Sequence, residues 1–228
     1  MPARPTTLRS RAGLQTGQDV LAFLRLVSNW GARPHGLDAS QALIEFARGR
    51  LPDVDLRVGE MEELPYEDDT FDLVTGFNSF SFANDIVGAL REAGRVAKSD
   101  APVVIQVWGP YEHTHLEAMK EIVRPLMPPR PSDAPPEPDY SKPGALEQLA
   151  AQAGLRPEST FDASWAFTYP DEETLARAMV AVAGLAVLVS PDREKAAKEA
   201  IANGLARYRT QDGGYRLENE YHYVIARA

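Results

Sequence analysis

Apolar positions along the chain alternate between two spacings, and the order in which they do so predicts the architecture. Asp19-Val20-Leu21 reads as a short strand that runs straight into a helical pattern, with Phe23, Leu24, Leu26, Val27 and Trp30 on one face and Gly31 as the stop. Pro34 to Asp38 reads as a strand with an acidic end, and Ser40 as the cap of a helix through Arg50 that turns Leu43, Ile44 and Ala47 inward. Strands follow at Asp55–Val58 and Phe71–Thr75. A helix capped by Asn84 or Asp85 then runs to Ala97, and Ala101 to Trp108 is a β-rich run closed by Gly109-Pro110. Strands that alternate with helices, and read as apolar runs more than as clean alternation, indicate a mostly parallel α/β sheet.

The second half changes character. Eight prolines fall within residues 125–143, a density that excludes regular helix or central strand and predicts an extended crossover. Ser141 is expected to cap a helix to Ala153, with Gly154 at its stop, and residues 155–168 to form a strand. Two helical patterns cover 171–189 and 192–208. After the turn Gln211-Asp212-Gly213-Gly214, residues 215–227 alternate Tyr215, Leu217, Tyr221, Tyr223 and Ile225 with Arg216, Glu218, Glu220 and His222. That pattern fits an antiparallel strand with one wetter face, and it puts His222 at the sheet surface.

Length and composition narrow the functional classes. At 228 residues the chain fits one domain, and 44% hydrophobic with 25% charged residues is ordinary for a globular protein. With no cysteine, the chain has no thiolate nucleophile and no Cys-ligated metal. The net charge of -9 argues against nucleic acid as a partner. No signal peptide or apolar membrane span is expected, so the expected setting is cytoplasmic, without a membrane partner. Gly-Lys-Ser/Thr, Gly-x-Ser-x-Gly and Tyr-x-x-x-Lys are all missing, which removes P-loop, nucleophile-elbow and short-chain dehydrogenase readings. His113-x-His115 has no third partner in the sequence pattern, and no metal is expected.

Three stretches carry a family likeness: Gly36-Leu37-Asp38-Ala39-Ser40, then Val58-Gly59-Glu60-Met61-Glu62-Glu63-Leu64-Pro65-Tyr66, then Asp69-Thr70-Phe71-Asp72-Leu73-Val74. Leu90-Arg91-Glu92-Ala93-Gly94-Arg95-Val96 and the ending Asp212-Gly213-Gly214-Tyr215-Arg216-Leu217 extend it over residues 18–228. In this order they resemble class I S-adenosylmethionine-dependent methyltransferases, in the branch similar to ubiquinone/menaquinone-biosynthesis enzymes. The resemblance implies a Rossmann-like, mostly parallel seven-stranded sheet with an antiparallel last strand and a helical insertion. It divides one domain into a cofactor-binding half (18–108), a proline-rich crossover or lid (109–143) and a C-terminal half (144–228) with the insertion at 171–208. It implies methyl transfer from S-adenosylmethionine to a small-molecule acceptor; the oligomeric state is not legible.

The same resemblance assigns candidate residues. Asp38, with Ala39 beside it, would meet the ribose hydroxyls, or else Asp38 serves only the helix start that follows. Glu60 would meet the adenine amino group and Met61 pack on the ring, or both are ordinary loop residues. Phe77, Asn78 and Ser79 would lie where the reacting methyl sits, or form a packed loop. His113 and His115 are the candidates for a proton acceptor; the alternative is a solvent-exposed pair capping the next helix. Trp108, Tyr111, Trp165 and Phe167 would line an acceptor pocket or pack in the core. Residues 53–72 hold nine acids and one Arg, expected to be mostly a solvated face, with Glu60 the exception.

One departure is large. The family's D/E-x-G-x-G-x-G loop follows its first strand, yet Val20-Leu21 leads directly into Ala22-Phe23-Leu24, and no two glycines in the chain are separated by one residue. Either the loop is missing from this version of the sequence, or the protein is a methyltransferase-like binding or scaffold protein without catalysis.

Overall fold

A computed structural model of the chain describes residues 5–9, 23–126, 138–182 and 191–228. The strands are β1 (Pro5–Arg9), β2 (Arg33–Asp38), β3 (Asp55–Val58), β4 (Val74–Phe77), β5 (Pro102–Trp108), β6 (Arg156–Tyr169) and β7 (Tyr215–Arg227). They form one sheet in the order β3-β2-β1-β4-β5-β7-β6. The first five pair in parallel, and β7 runs antiparallel between β5 and β6. The helices are α1 (23–29), α2 (Gln41–Arg48), α3 (Ile86–Val96), α4 (Glu117–Val123), α5 (Ala145–Gln152), α6 (Glu172–Val182) and α7 (Pro191–Leu205). The Rossmann-like α/β class expected from the pattern is met. Among the described residues no helix is long and apolar enough to cross a membrane.

Several boundaries correct the sequence reading. The strand expected at Asp19–Leu21 lies outside the described residues; the first described strand is Pro5–Arg9. This stretch has few apolar residues, and only pairing with β2 on one side and β4 on the other makes it a strand. Residues 10–22, between this strand and the first described helical residues, lie outside the described residues. β4 begins at Val74 instead of Phe71; Phe71 makes an isolated bridge to Ala97 and is fully buried. Ser141 does not cap α5. Its N–H and hydroxyl donate to Asp139, and the helix starts after Gly144, whose φ of +80° is open to glycine. Most of the proline-rich crossover, residues 127–137, and the 183–190 part of the expected first insertion helix lie outside the described residues.

Local chemistry starts the helices that were placed correctly. Ser40 Oγ accepts the Leu43 N–H at the start of α2, and Asp85 Oδ1 the Gly88 N–H at 2.9 Å at the start of α3. α1 and α2 bury Leu24, Val27 and Ile44 against Leu51 and Leu56 on one face of the sheet. α3 and α5 bury Leu90, Ala93, Leu146 and Ala150 against Val103, Ile105, Val107 and Val224 on the other.

A third core belongs to the insertion. β6 and β7 continue past the end of β5: Trp108 opposes Tyr221, while the β6–β7 pairing runs on to Tyr169–Tyr215. On this extension Leu116, Met119, Leu175, Met179, Ala197, Ile201 and Leu205 pack with Tyr215 and Leu217. The extension therefore leaves the sheet on the side of the carboxyl ends of the parallel strands, and it carries α4, α6 and α7 there.

Candidate functional site

In an open α/β sheet a ligand binds outside the carboxyl ends of the strands, where the strand order reverses. Here the reversal lies between β1 and β4. Asp38 ends β2 beside it and is buried, 8% exposed. Its Oδ1 accepts the Ser40 N–H at 2.7 Å, and its carbonyl accepts the Gly59 N–H at 3.1 Å. The helix-start role is thus real, and it fixes the carboxylate at the strand end. Ala39 is half-buried between them.

Asp38 opposes Val58, so the β3 end delivers Glu60 and Met61 alongside it. Glu60 is exposed, while Met61 is buried in the core with Leu37 and Leu64. The loop that carries them is pinned to α3: the Leu64 N–H donates to Glu92 at 2.8 Å, and Arg95 donates to Glu92, Asp68 and the carbonyls of Leu64 and Tyr66. Much of the acidic run is structural for the same reason. Asp55 pairs with Arg57 and His35, Glu62 accepts the Asn84 N–H, and Asp72 pairs with Lys98. The Arg57 hydrogen bond holds the Asp55 carboxyl below its usual range, and burial lowers His35 despite Asp55.

At the β4 end Phe77 meets Phe23 of α1 edge-on, with ring centres 5.5 Å apart. Asn78 turns the chain off the strand with φ +49°, a left-handed conformation that asparagine tolerates, and its N–H donates to the Gln106 carbonyl at 2.9 Å. Four buried polar atoms on β4, on the turn after it and on β5 beside it have no hydrogen-bond partner: Thr75 Oγ1, Asn78 Oδ1, Ser79 Oγ and Gln106 Oε1. Buried polar atoms are nearly always paired in folded proteins, so this cluster is suited to a polar ligand. A carboxylate at the β2 end and orphaned oxygens at the β4 end fit the ribose and the amino-acid end of S-adenosylmethionine. Glycine is required at position 76, because a Cβ there would stand 2.8 Å from Ser79 Oγ and overlap the Phe80 ring.

The two histidines singled out by sequence lie in the segment after β5, against the extension of β7. His113 Nδ1 is 3.1 Å from Glu220, which raises its pKa, and the ring is exposed. His115 Nδ1 accepts the Glu218 N–H, its ring stacks on Tyr208 at 4.1 Å, and burial lowers its pKa. Both thus tie the segment after β5 to β7. Of the four aromatics, Trp108 and Phe167 come together, with centroids 6.4 Å apart, while Tyr111 and Trp165 are exposed.

Sequence reasoning placed on the wetter face one residue that the structure buries. His222 is 6% exposed, against the expectation that it faces the surface, and it lies on the strand between β6 and β5. Its Nδ1 lies 2.6 Å from Asp162 Oδ1, and its Nε2 is buried without a partner. Only the β6–β7 register, which opposes Asp162 to His222, reveals the pair.

Comparison with known proteins follows the same lines. Residues 12–105 match the family described as "Methyltransferase domain". A demethylmenaquinone methyltransferase of Thermotoga maritima is 41% identical over 31% of this chain and 31% of its own length. That of Halalkalibacterium halodurans is 34% identical over 41% of this chain and 44% of its own. The chain thus aligns with less than half the length of these curated relatives. The YcgJ protein of Bacillus subtilis shares the fold, with a TM-score of 0.60, 16% identity and coverage of 99% of this chain and 92% of that one. Set against the family's loop pattern, Arg11-Ala12-Gly13-Leu14-Gln15-Thr16-Gly17 has glycine at the first and third glycine positions, Arg11 at the acid and Gln15 at the middle glycine. Motif order, domain match and fold agree in showing this chain to be similar to the class I S-adenosylmethionine-dependent methyltransferases, and its first half to their ubiquinone/menaquinone-biosynthesis branch.

Proposed function

We propose that the chain is an S-adenosylmethionine-dependent methyltransferase acting on a small-molecule acceptor. The observation that carries this is the buried carboxylate of Asp38, fixed at the β2 end beside the point where the strand order reverses. In this reading Asp38 accepts from the ribose hydroxyls, with Ala39 alongside. Glu60 faces the adenine amino group, Met61 forms the apolar floor beneath the ring, and Phe77 and Asn78 bound the methionine end. When bound, S-adenosylmethionine supplies an electrophilic methyl group on a sulfonium. The chain's own work is to bind, to orient and to exclude water. The lobe of α4, α6 and α7, carried on the strand extension, supplies that cover. His113 and His115 serve to anchor it. The setting proposed is cytoplasmic, with a small molecule as partner in preference to nucleic acid, on the strength of the -9 charge.

A second reading, a binding or scaffold protein without catalysis that lacks the glycine-rich loop, is favoured by the absence of any Gly-x-Gly pair in the sequence. Only glycine lets a backbone approach a ligand most closely. Titration calorimetry with S-adenosylmethionine and with S-adenosylhomocysteine decides between them. Micromolar binding of both supports the enzyme; no binding of either refutes it.

A further inference from the structure

The sheet has two outer edges, and they are built differently. At one, β3 is four residues long and carries the paired charges Asp55 and Arg57. A short, charged edge strand resists pairing with another chain. At the other, β6 runs for fourteen residues, of which only Tyr169 is buried. Among the described residues no strand pairs with its outer side. β6 also lacks the usual guards of an edge. It has no lysine, and its proline and its bulge both lie near its start, at Pro157 and Ser159. Its two acids are held by β7: Arg227 lies 2.6 Å from Glu158, and His222 2.6 Å from Asp162. From Ser159 to Tyr169 the strand thus offers a regular row of backbone N–H and C=O groups to the outside.

The side chains of this edge also call for a partner. Phe161 is 46% exposed and Trp165 68%. Side chains two residues apart on a strand share a face, so Phe161, Ala163 and Trp165 lie on one face. Phe161 opposes Tyr223 there, and the two rings stack 4.9 Å apart and 4° from parallel. Large aromatic side chains left open beside an unpaired strand edge mark an interaction surface.

We infer that β6 pairs antiparallel with β6 of a second copy of this chain, about a two-fold axis through Ala163, so that two seven-stranded sheets join edge to edge. The register follows from backbone geometry. In an antiparallel ladder two opposed residues both turn their N–H and C=O to the partner strand or both turn them away, and this alternates along the strand. A two-fold axis must therefore pass between one residue and its own copy. β6 spans Arg156–Tyr169, so the longest overlap has its axis at residue 162 or 163. At 162 the axis would set Asp162 against its own copy, and like charges directly opposite are unfavourable. At 163 the small side chains of Ala163 meet on the axis. Asp162 then meets the Ser164 hydroxyl of the second copy, and Phe161 meets Trp165 of the second copy. Tyr223, Phe161 and that Trp165 form one aromatic row, repeated by symmetry on the other side of the axis. Ser159 to Phe167 pair in full without reaching the bulge. The edge is thus self-complementary, as a two-fold dimer requires, and the pairing is independent of methyl transfer.

Light scattering on the full chain, over a dilution series, reads the mass of the particle. Wild type is expected as two 25.0 kDa chains, and Trp165→Glu, a change at an exposed side chain, as one. Cross-linking reads the register and covers the case in which Trp165→Glu does not fold. The chain has no cysteine, so Ala163→Cys carries a single thiol. Residues opposed across an antiparallel pair have Cα atoms about 4.5–5.5 Å apart, within disulfide reach. Mild oxidation is expected to convert most of Ala163→Cys to a covalent dimer and to leave Ser164→Cys largely unlinked, because its two thiols stand about two residues out of register. A wild-type particle of one chain at every concentration overturns the inference. So does a dimer that Trp165→Glu leaves intact, or linking of Ser164→Cys in preference to Ala163→Cys.

Discussion

Replacing Asp38 by Asn removes its charge and keeps its shape, which separates cofactor binding from local structure. The amide oxygen can still accept the Ser40 N–H that Oδ1 accepts at 2.7 Å, so the start of α2 is preserved. Asp38→Ala also loses that bond, at about 1 kcal/mol of stability by the usual value for such contacts. Hydrogen bonds to a charged group contribute about 1.5–3 kcal/mol each. One oxygen already serves Ser40, so the lower part of that range is the appropriate estimate for the ribose. Asp38→Asn should then weaken S-adenosylmethionine by about 1.5–2 kcal/mol, roughly 10- to 30-fold in Kd, with thermal stability near wild type. Asp38→Ala should show at least the same loss of affinity together with a lower Tm. Calorimetry with S-adenosylhomocysteine checks both, since this product lacks the sulfonium charge and reports the ribose contact alone. If Asp38→Asn binds within twofold of wild type while Asp38→Ala only lowers Tm, the carboxylate serves the helix start, and the ribose assignment is wrong.

The other predictions concern loop, packing and acid stability. Arg11→Asp combined with Gln15→Gly restores the family pattern and should tighten S-adenosylmethionine by on the order of tenfold in calorimetry; no gain would refute the correspondence of residues 11–17 to the loop. Gly76→Ala should destabilise the fold by about 1–3 kcal/mol in urea titration, because the new Cβ meets Ser79 and the Phe80 ring; a neutral change would show that this turn yields. The His35 pKa is lowered from 6.5 by burial, so below that value the unfolded chain binds a proton that the folded one refuses. Stability should therefore fall as pH drops through 6.5, and His35→Gln should flatten that acid-side slope in Tm against pH. Asp55, whose pKa lies below 3.8 through Arg57, adds a second loss only at lower pH.

Much of the scaffold was legible because its signals are local. The Asp85 cap and the apolar spacing of Ala89, Leu90, Ala93 and Val96 locate α3 without any partner. The run Val103–Val107 locates β5, and the alternation from Tyr215 locates β7. Asp38 was legible too, since a strand followed by an acid and a capping serine is a pattern within five residues. The first strand was not. Thr6, Thr7 and Arg9 carry no apolar signal, and their strand conformation comes from hydrogen bonds to β2 and β4, which are distant in sequence.

His222 shows the limit most sharply. On β7 it sits in the row with Arg216, Glu218 and Glu220, and by sequence that row faces water. Burial depends on what covers a face, and only the lower part of β7 is flanked by β5 and packed against α3 and α5. The Asp162 partner lies 60 residues away, brought in by strand register alone. The sequence by itself determined the elements from β2 to α3, the strands β5 and β7, the acidic strand end at Asp38 and the lack of any Gly-x-Gly pair, because each is written in neighbouring residues. Only the tertiary structure decided which strand is first, which histidine is buried and which carboxylate orients it, because pairing and coverage are properties of segments far apart along the chain.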